Sequence, residues 1–139
     1  MQKLINLSEA ALLAIHALAE IAGAEESASN QKLAEKLGVS GNHLSKVLQH
    51  LQKKGIIKSH RGPKGGYSLA KPAEEISFIE IVESIDGEIP KSACIFRSSI
   101  CRRKSCVFGD MTAEVTKIII DTLSNTKLSD FRAKEDQNG

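Results

Sequence analysis

Residues 60–67 read HRGPKGGY, and what this stretch does decides the fold. Three glycines, a proline and two cations in eight residues describe a tight chain reversal that carries charge at its tip. Gly65 and Gly66 can take φ > 0, which turns the chain sharply, and Pro63 stiffens the approach. The flanks GIIKS and YSLA supply the β-branched and aromatic residues suited to two short strands. The expectation is a β-hairpin that holds Arg61 and Lys64 at the end of a stiff finger. Alone, such a turn fits a plain solvated loop equally well. The residues before it decide.

Two helical patterns with a short turn between them lie immediately upstream. SNQKLAEKLG opens on a Ser/Asn cap, sets Leu33, Ala34 and Leu37 on one face and stops at Gly38. After Val39, Ser40 caps GNHLSKVLQHLQKKG, whose Leu44, Val47, Leu48 and Leu51 recur at helical spacing until Gly55. Helix, Leu-Gly-Val-Ser turn and helix form the helix-turn-helix pattern, in which the second helix reads DNA. Its polar face carries Asn42, His43, Ser45, Lys46, Gln49 and His50, groups suited to base edges and phosphates. None is acidic. A helix-turn-helix that runs straight into a stiff basic hairpin predicts a mainly α winged-helix fold with a small β-hairpin wing. The second helix would enter a major groove, Arg61 would reach a neighbouring minor groove or the backbone, and Lys64 would meet phosphate.

The net charge of +2 conceals a strong segregation. Between Lys36 and Ala73 stand eight Lys/Arg and no Asp or Glu, and the rest of the chain carries eleven basic and seventeen acidic residues. Such a separation is the electrostatic footprint of a polyanion partner, here duplex DNA.

The 139 residues are enough for one domain with a modest core, built mostly of Leu, Ile, Val and Ala since Trp is absent. Residues 1–87 are expected to form the winged helix-turn-helix domain. Within it, Ser8 caps an N-terminal helix, EAALLAIHALAEIA, apolar on nearly every face and therefore buried, with His16 in a core or interface position. Ser77 and Glu80 match a capping box that opens FIEIVESIDG, ending at Gly87. Residues 88–109 form a loop that holds all three cysteines. Residues 110–130 comprise a helix, MTAEVTKIIIDTL, and a C-terminal segment, and residues 131–139 a flexible polar tail. In that helix Val115, Ile118, Ile119 and Leu123 make an apolar stripe that calls for a second copy of the chain, so a homodimer is expected. No apolar run approaches the roughly 18 residues of a membrane span, and no secretory leader opens the chain, so no membrane partner and a cytoplasmic address are expected.

The cysteine pattern is Cys94-x6-Cys101-x4-Cys106. Arg97, Arg102, Arg103 and Lys104 surround the thiols and favour thiolate, the form that binds metal or reacts. Three clustered thiolates favour an iron–sulfur or other metal centre over a disulfide. A thiol–disulfide switch remains open, and zinc fits less well because its cysteines usually sit in closer pairs. An iron–sulfur centre needs a fourth protein ligand, for which Glu9, His16, Asp110 and Glu114 are the candidates. Asp110 begins a helix, where capping would occupy its carboxylate.

With these motifs assembled, the stretch from LSKVLQHLQKKG through RGPKGGYSLAKPAEEISFIEIVESIDG, followed by three loop cysteines and a long helix, resembles the Rrf2 family of bacterial winged-helix transcription regulators. The likeness covers roughly residues 1–130. It implies that Asn42, His43, Ser45 and Lys46 contact the major groove, with Arg61 in the wing. It also implies a dimer built on the helix at 110–124 with help from the first helix. The cofactor would be an iron–sulfur cluster, 2Fe–2S or 4Fe–4S, on Cys94, Cys101 and Cys106, with Glu9 from the other subunit as fourth ligand. Two departures stand out. The cysteine spacing is uneven, and Gly109 occupies a place where one branch of the family has a ligating histidine.

The expected function is a homodimeric DNA-binding regulator, a repressor on an inverted-repeat operator, that senses iron–sulfur status, nitric oxide or redox poise. A thiol-switched regulator without a cluster is the alternative, and an iron–sulfur carrier a weaker one, since a carrier has no use for the basic module. No glycine-rich phosphate loop, paired carboxylates or nucleophile–base arrangement is present, so no enzyme is expected.

Overall fold

The computed structural model describes residues 7–90, 100–102 and 104–131. Its elements run α1 (Glu9–Gly23), α2 (Asn30–Leu37), α3 (Gly41–Lys53), β1 (Ile57–His60), β2 (Gly66–Leu69), α4 (Phe78–Asp86) and α5 (Met111–Asn125), with one 3-10 turn at Ala73–Glu75. Four helices start in the same way. The hydroxyls of Ser8, Ser29, Ser40 and Ser77 accept from the backbone N–H of Ala11, Lys32, His43 and Glu80, each cap contributing about 1 kcal/mol. At Ser77 the other arm of the expected capping box is redirected, because the Glu80 carboxylate takes Lys71 Nζ at 2.6 Å. Helix α2 stops at Gly38, whose φ of 66° is the left-handed conformation that ends a helix.

The core sits around α1, which touches α2, α3, α4 and β2. Its buried residues are Ala11, Ala14, Ile15, Ala17, Leu18, Ala19 and Ile21. The alanines let neighbouring helices approach closely, and Leu44, Val47, Leu48 and Leu51 of α3 close the layer from the other side. Burying such aliphatic side chains contributes about 1.5–3 kcal/mol each. This fixes α3 by one face and leaves its opposite face in water.

His16, expected in a core or interface position, is not in the core of the subunit. It is exposed, on the stripe with Glu9 and Leu12, and its ring meets Phe131 edge-on at 5.4 Å. The reason is helical phase: three-, four- and seven-residue steps carry residues 9, 12 and 16 to one side of α1. Phe131, expected at the start of a flexible tail, belongs to the packed domain. It also lies 6.1 Å from Phe78, while Leu128 is fully buried and its N–H donates to Ile76 O at 2.9 Å. Residues 132–139 lie outside the described residues.

The hairpin pairs antiparallel from Ile57↔Leu69 to His60↔Gly66, so the wing exists and its tip is residues 61–65. Its glycines divide the work differently from the expectation. Gly62 (φ 106°) and Gly66 (φ 152°) take the positive values, and Gly65 does not. Gly65 is required by space instead, since a Cβ there would lie 2.7 Å from Gly62 O and 2.8 Å from His60 O. On the other side of β2, Ala28 pairs with Tyr67 through two backbone bonds, Ala28 N–H to Tyr67 O at 2.9 Å and Tyr67 N–H to Ala28 O at 2.8 Å. The loop between α1 and α2 thus forms a third, one-residue edge to the wing. Among the described residues no helix is long and apolar enough to cross a membrane.

Candidate nucleic-acid interface and cysteine loop

Because α3 buries Leu44, Val47, Leu48 and Leu51, Asn42, His43, Lys46, Gln49, His50 and Lys53 are all exposed on the opposite side. Ser45 lies at the flank of this face and is half-buried. Lys46, Gln49, His50 and Lys53 line a shallow groove along the helix. Lys53 was missed in the sequence reading, although its place seven residues after Lys46 put it on that stripe. The wing is tied to α3 through Gln52 Nε2, which donates to Ser59 Oγ at 3.1 Å. In the wing itself His60 Nε2 lies 2.7 Å from Ser68 Oγ, a cross-strand contact that leaves Arg61 and Lys64 exposed at the tip.

The acid-free stretch is not acid-free in space. Lys36 pairs with Glu20 of α1, Lys64 with Glu26 at 3.3 Å, and Lys71 with Glu80 at 2.6 Å. These carboxylates come from outside the stretch. What remains without an acidic partner among the described residues is Lys46, Lys53, Lys54, Lys58 and Arg61, all exposed on α3, its C-terminal turn and the wing. The positive surface is therefore narrower than the sequence implied, and it coincides with the exposed face of α3 and the hairpin.

The cysteine loop is described in part. Cys101 and Cys106 are free and exposed; Cys94, Arg97 and Arg103 lie outside the described residues. Thiolates suit iron–sulfur chemistry in kind. Among the described residues no three His, Cys, Asp or Glu side chains are grouped to hold a metal ion. Glu9 is exposed in the first turn of α1. Asp110 differs from the expectation. It precedes α5 at φ −83°, ψ 0°, and its side chain makes no capping bond. The turn at 107–110 leads straight into α5, with Gly109 N–H donating to Cys106 O at 3.0 Å and Met111 N–H to Phe108 O at 3.4 Å.

Helix α5 has two apolar faces. Thr116 is buried and Ile119, Ile120 and Leu123 are half-buried on the side that packs on α4. Met111 and Ile118 are 38% and 64% exposed on another side, with half-buried Val115 between them in sequence. Beside that stripe Lys117 pairs with Asp121 at 2.7 Å, and this hydrogen bond and the carboxylate's charge raise the lysine pKa.

The fold is that of a winged helix-turn-helix protein, with the polar face of α3 and the wing tip both exposed. The profile of the Rrf2 family, described as iron-dependent transcriptional regulators, matches residues 7–134. The chain belongs to the Rrf2 family. It is 29% identical over 99 residues to the HTH-type transcriptional regulator IscR of Pectobacterium atrosepticum, a match covering 71% of this chain and 60% of that relative's length. Among solved structures it is similar to CymR, the global cysteine regulator of B. subtilis, with a TM-score of 0.79 at 21% identity over 96% of this chain and 98% of that one. It is also similar to IscR of T. potens, with a TM-score of 0.75 at 23% identity over 94% and 88% of the two chains.

Proposed function

We propose that this protein is a homodimeric transcriptional repressor that binds an inverted-repeat operator in duplex DNA and is controlled through its cysteine loop. The observation that carries the reading is the coincidence of unpaired basic side chains with the exposed faces of α3 and the wing. Asn42, His43, Ser45 and Lys46 would meet the major groove, Arg61 the adjacent minor groove, and Lys64 phosphate. A two-fold dimer sets half-sites about one helical turn, or a multiple of it, apart. Arg61→Ala is expected to weaken binding to a duplex selected on the wild-type protein by about 1–3 kcal/mol, roughly five- to 150-fold, measured by fluorescence anisotropy. Unchanged affinity removes the wing from the interface.

For control, the reading favoured by the family and by the soft donor set is an iron–sulfur cluster. Cys94, Cys101 and Cys106 would hold it together with Glu9 of a second copy, and the bound cluster would supply sensitivity to oxidants, nitric oxide or iron supply. Anaerobically purified protein is then expected to be coloured and to carry iron and sulfide. Glu9→Ala is expected to change its visible absorption and speed bleaching in air. Spectra and bleaching identical to wild type would exclude Glu9. A second reading rests on the free, exposed Cys101 and Cys106, five residues apart. Colourless anaerobic protein whose DNA affinity responds to a thiol oxidant, with loss of that response in Cys106→Ser, would establish a thiol switch instead.

A further inference from the structure

The loop between α1 and α2 lies against the wing at several points. Ala28 and Tyr67 exchange two backbone bonds, and Ser27 Oγ donates to Lys64 O. Gly66 comes so close that a Cβ would stand 2.4 Å from Ala28 O. Except for the Ser27 hydroxyl these are backbone contacts, so the position of Glu26 beside the wing tip does not depend on one flexible ion pair. Its carboxylate oxygen sits 3.3 Å from Lys64 Nζ, and both side chains remain largely in water.

We infer that Glu26 is a specificity-determining residue for DNA binding: it holds the Lys64 ammonium off phosphate in loose, non-specific complexes. The inference rests on the DNA-binding reading above. An exposed lysine–carboxylate pair is weak, so a phosphate placed by a fully seated wing displaces Glu26 readily. A passing phosphate in a sliding complex is not held there and does not. Lys64 thus adds its counterion release mainly when the wing is seated, and Glu26 widens the gap between operator and random DNA.

The test uses full-length dimer, a random-sequence 30-base-pair duplex and a duplex recovered by repeated selection on wild-type protein, each titrated at several salt concentrations. Glu26→Gln is expected to tighten random-duplex binding about two- to fivefold and to steepen its salt slope by about one. Affinity for the selected duplex should rise less, so the specificity ratio falls. In the Lys64→Ala background, Glu26→Gln should leave the slope unaltered, because the slope counts phosphates neutralised and the released cation is missing. Wild-type slope and affinity in Glu26→Gln would overturn the inference, as would the same slope change with Lys64 absent. Failure of selection to recover any duplex would instead count against the DNA-binding reading itself.

Discussion

Ile118→Glu is expected to produce a folded monomer that sediments at half the wild-type mass and binds its selected duplex about 100-fold more weakly or worse. In the single subunit Ile118 is 64% exposed, so a carboxylate there meets water and the fold is unaffected. In a dimer packed on Met111, Val115 and Ile118, the two-fold axis would bring two copies of the same charge towards one another. Taking such groups out of water costs several kcal/mol per ion, more than a modest helix-pair interface supplies. A monomer then engages one half-site at a time and loses the gain from linking two. Ile119 offers a poorer test, because it is half-buried against its own domain and its replacement by Glu would destabilise the subunit itself. Retained dimer mass and DNA affinity in Ile118→Glu would place the interface elsewhere.

That distinction between adjacent isoleucines shows where sequence reading stops. Ile118, Ile119 and Ile120 are consecutive, and at 100° per residue they spread over more than half of the helix circumference. Periodicity identifies an apolar helix but does not separate the face that packs on α4 from the face left over. The helix-turn-helix was legible because its signals are local: serine caps, Gly38 at the end of α2 and the stripe Leu44, Val47, Leu48 and Leu51 follow one another along a short stretch of chain. The outward position of His16 follows from the phase it shares with Glu9 and Leu12, which turns it away from the buried face of α1. Asp110 failed for a subtler reason. An acidic residue before a helix usually caps it from an extended backbone, as the four capping serines do, but Asp110 sits at φ −83°, ψ 0°.

The contact between Glu26 and Lys64 had no sequence signal at all. The two residues are 38 positions apart, and they meet because the one-residue edge at Ala28 pairs with β2. Charge counted along the chain therefore overstated the basic surface. Three of the eight cations in the acid-free stretch meet acids that the fold brings in from elsewhere. The cations left unpaired are those on α3, its C-terminal turn and the wing, so folding sharpens the positive footprint on that side of the molecule.

The edge at Ala28 can be tested directly through Gly66. Gly66→Ala is expected to lower the unfolding free energy by about 2–4 kcal/mol, combining backbone strain with loss of the two Ala28–Tyr67 bonds. The new methyl would lie 2.4 Å from Ala28 O, 2.5 Å from Ala28 C and 2.8 Å from Ser29 N. All are backbone atoms, so no side-chain rotation relieves the overlap and the loop must part from β2. The φ of 152° adds strain of its own for an L-residue. Gly62→Ala provides the comparison: φ is 106°, yet nothing stands within 4 Å of its added Cβ. That variant should lose only about 1 kcal/mol, the strain of the left-handed backbone alone. Chemical denaturation measures both, and amide exchange reports whether the Tyr67 N–H loses protection in Gly66→Ala but keeps it in Gly62→Ala. Equal stability losses with Tyr67 protection intact in both would mean that residues 27–28 do not brace the wing. A selective loss in Gly66→Ala would show that the hairpin holds its place through a backbone contact that only glycine permits.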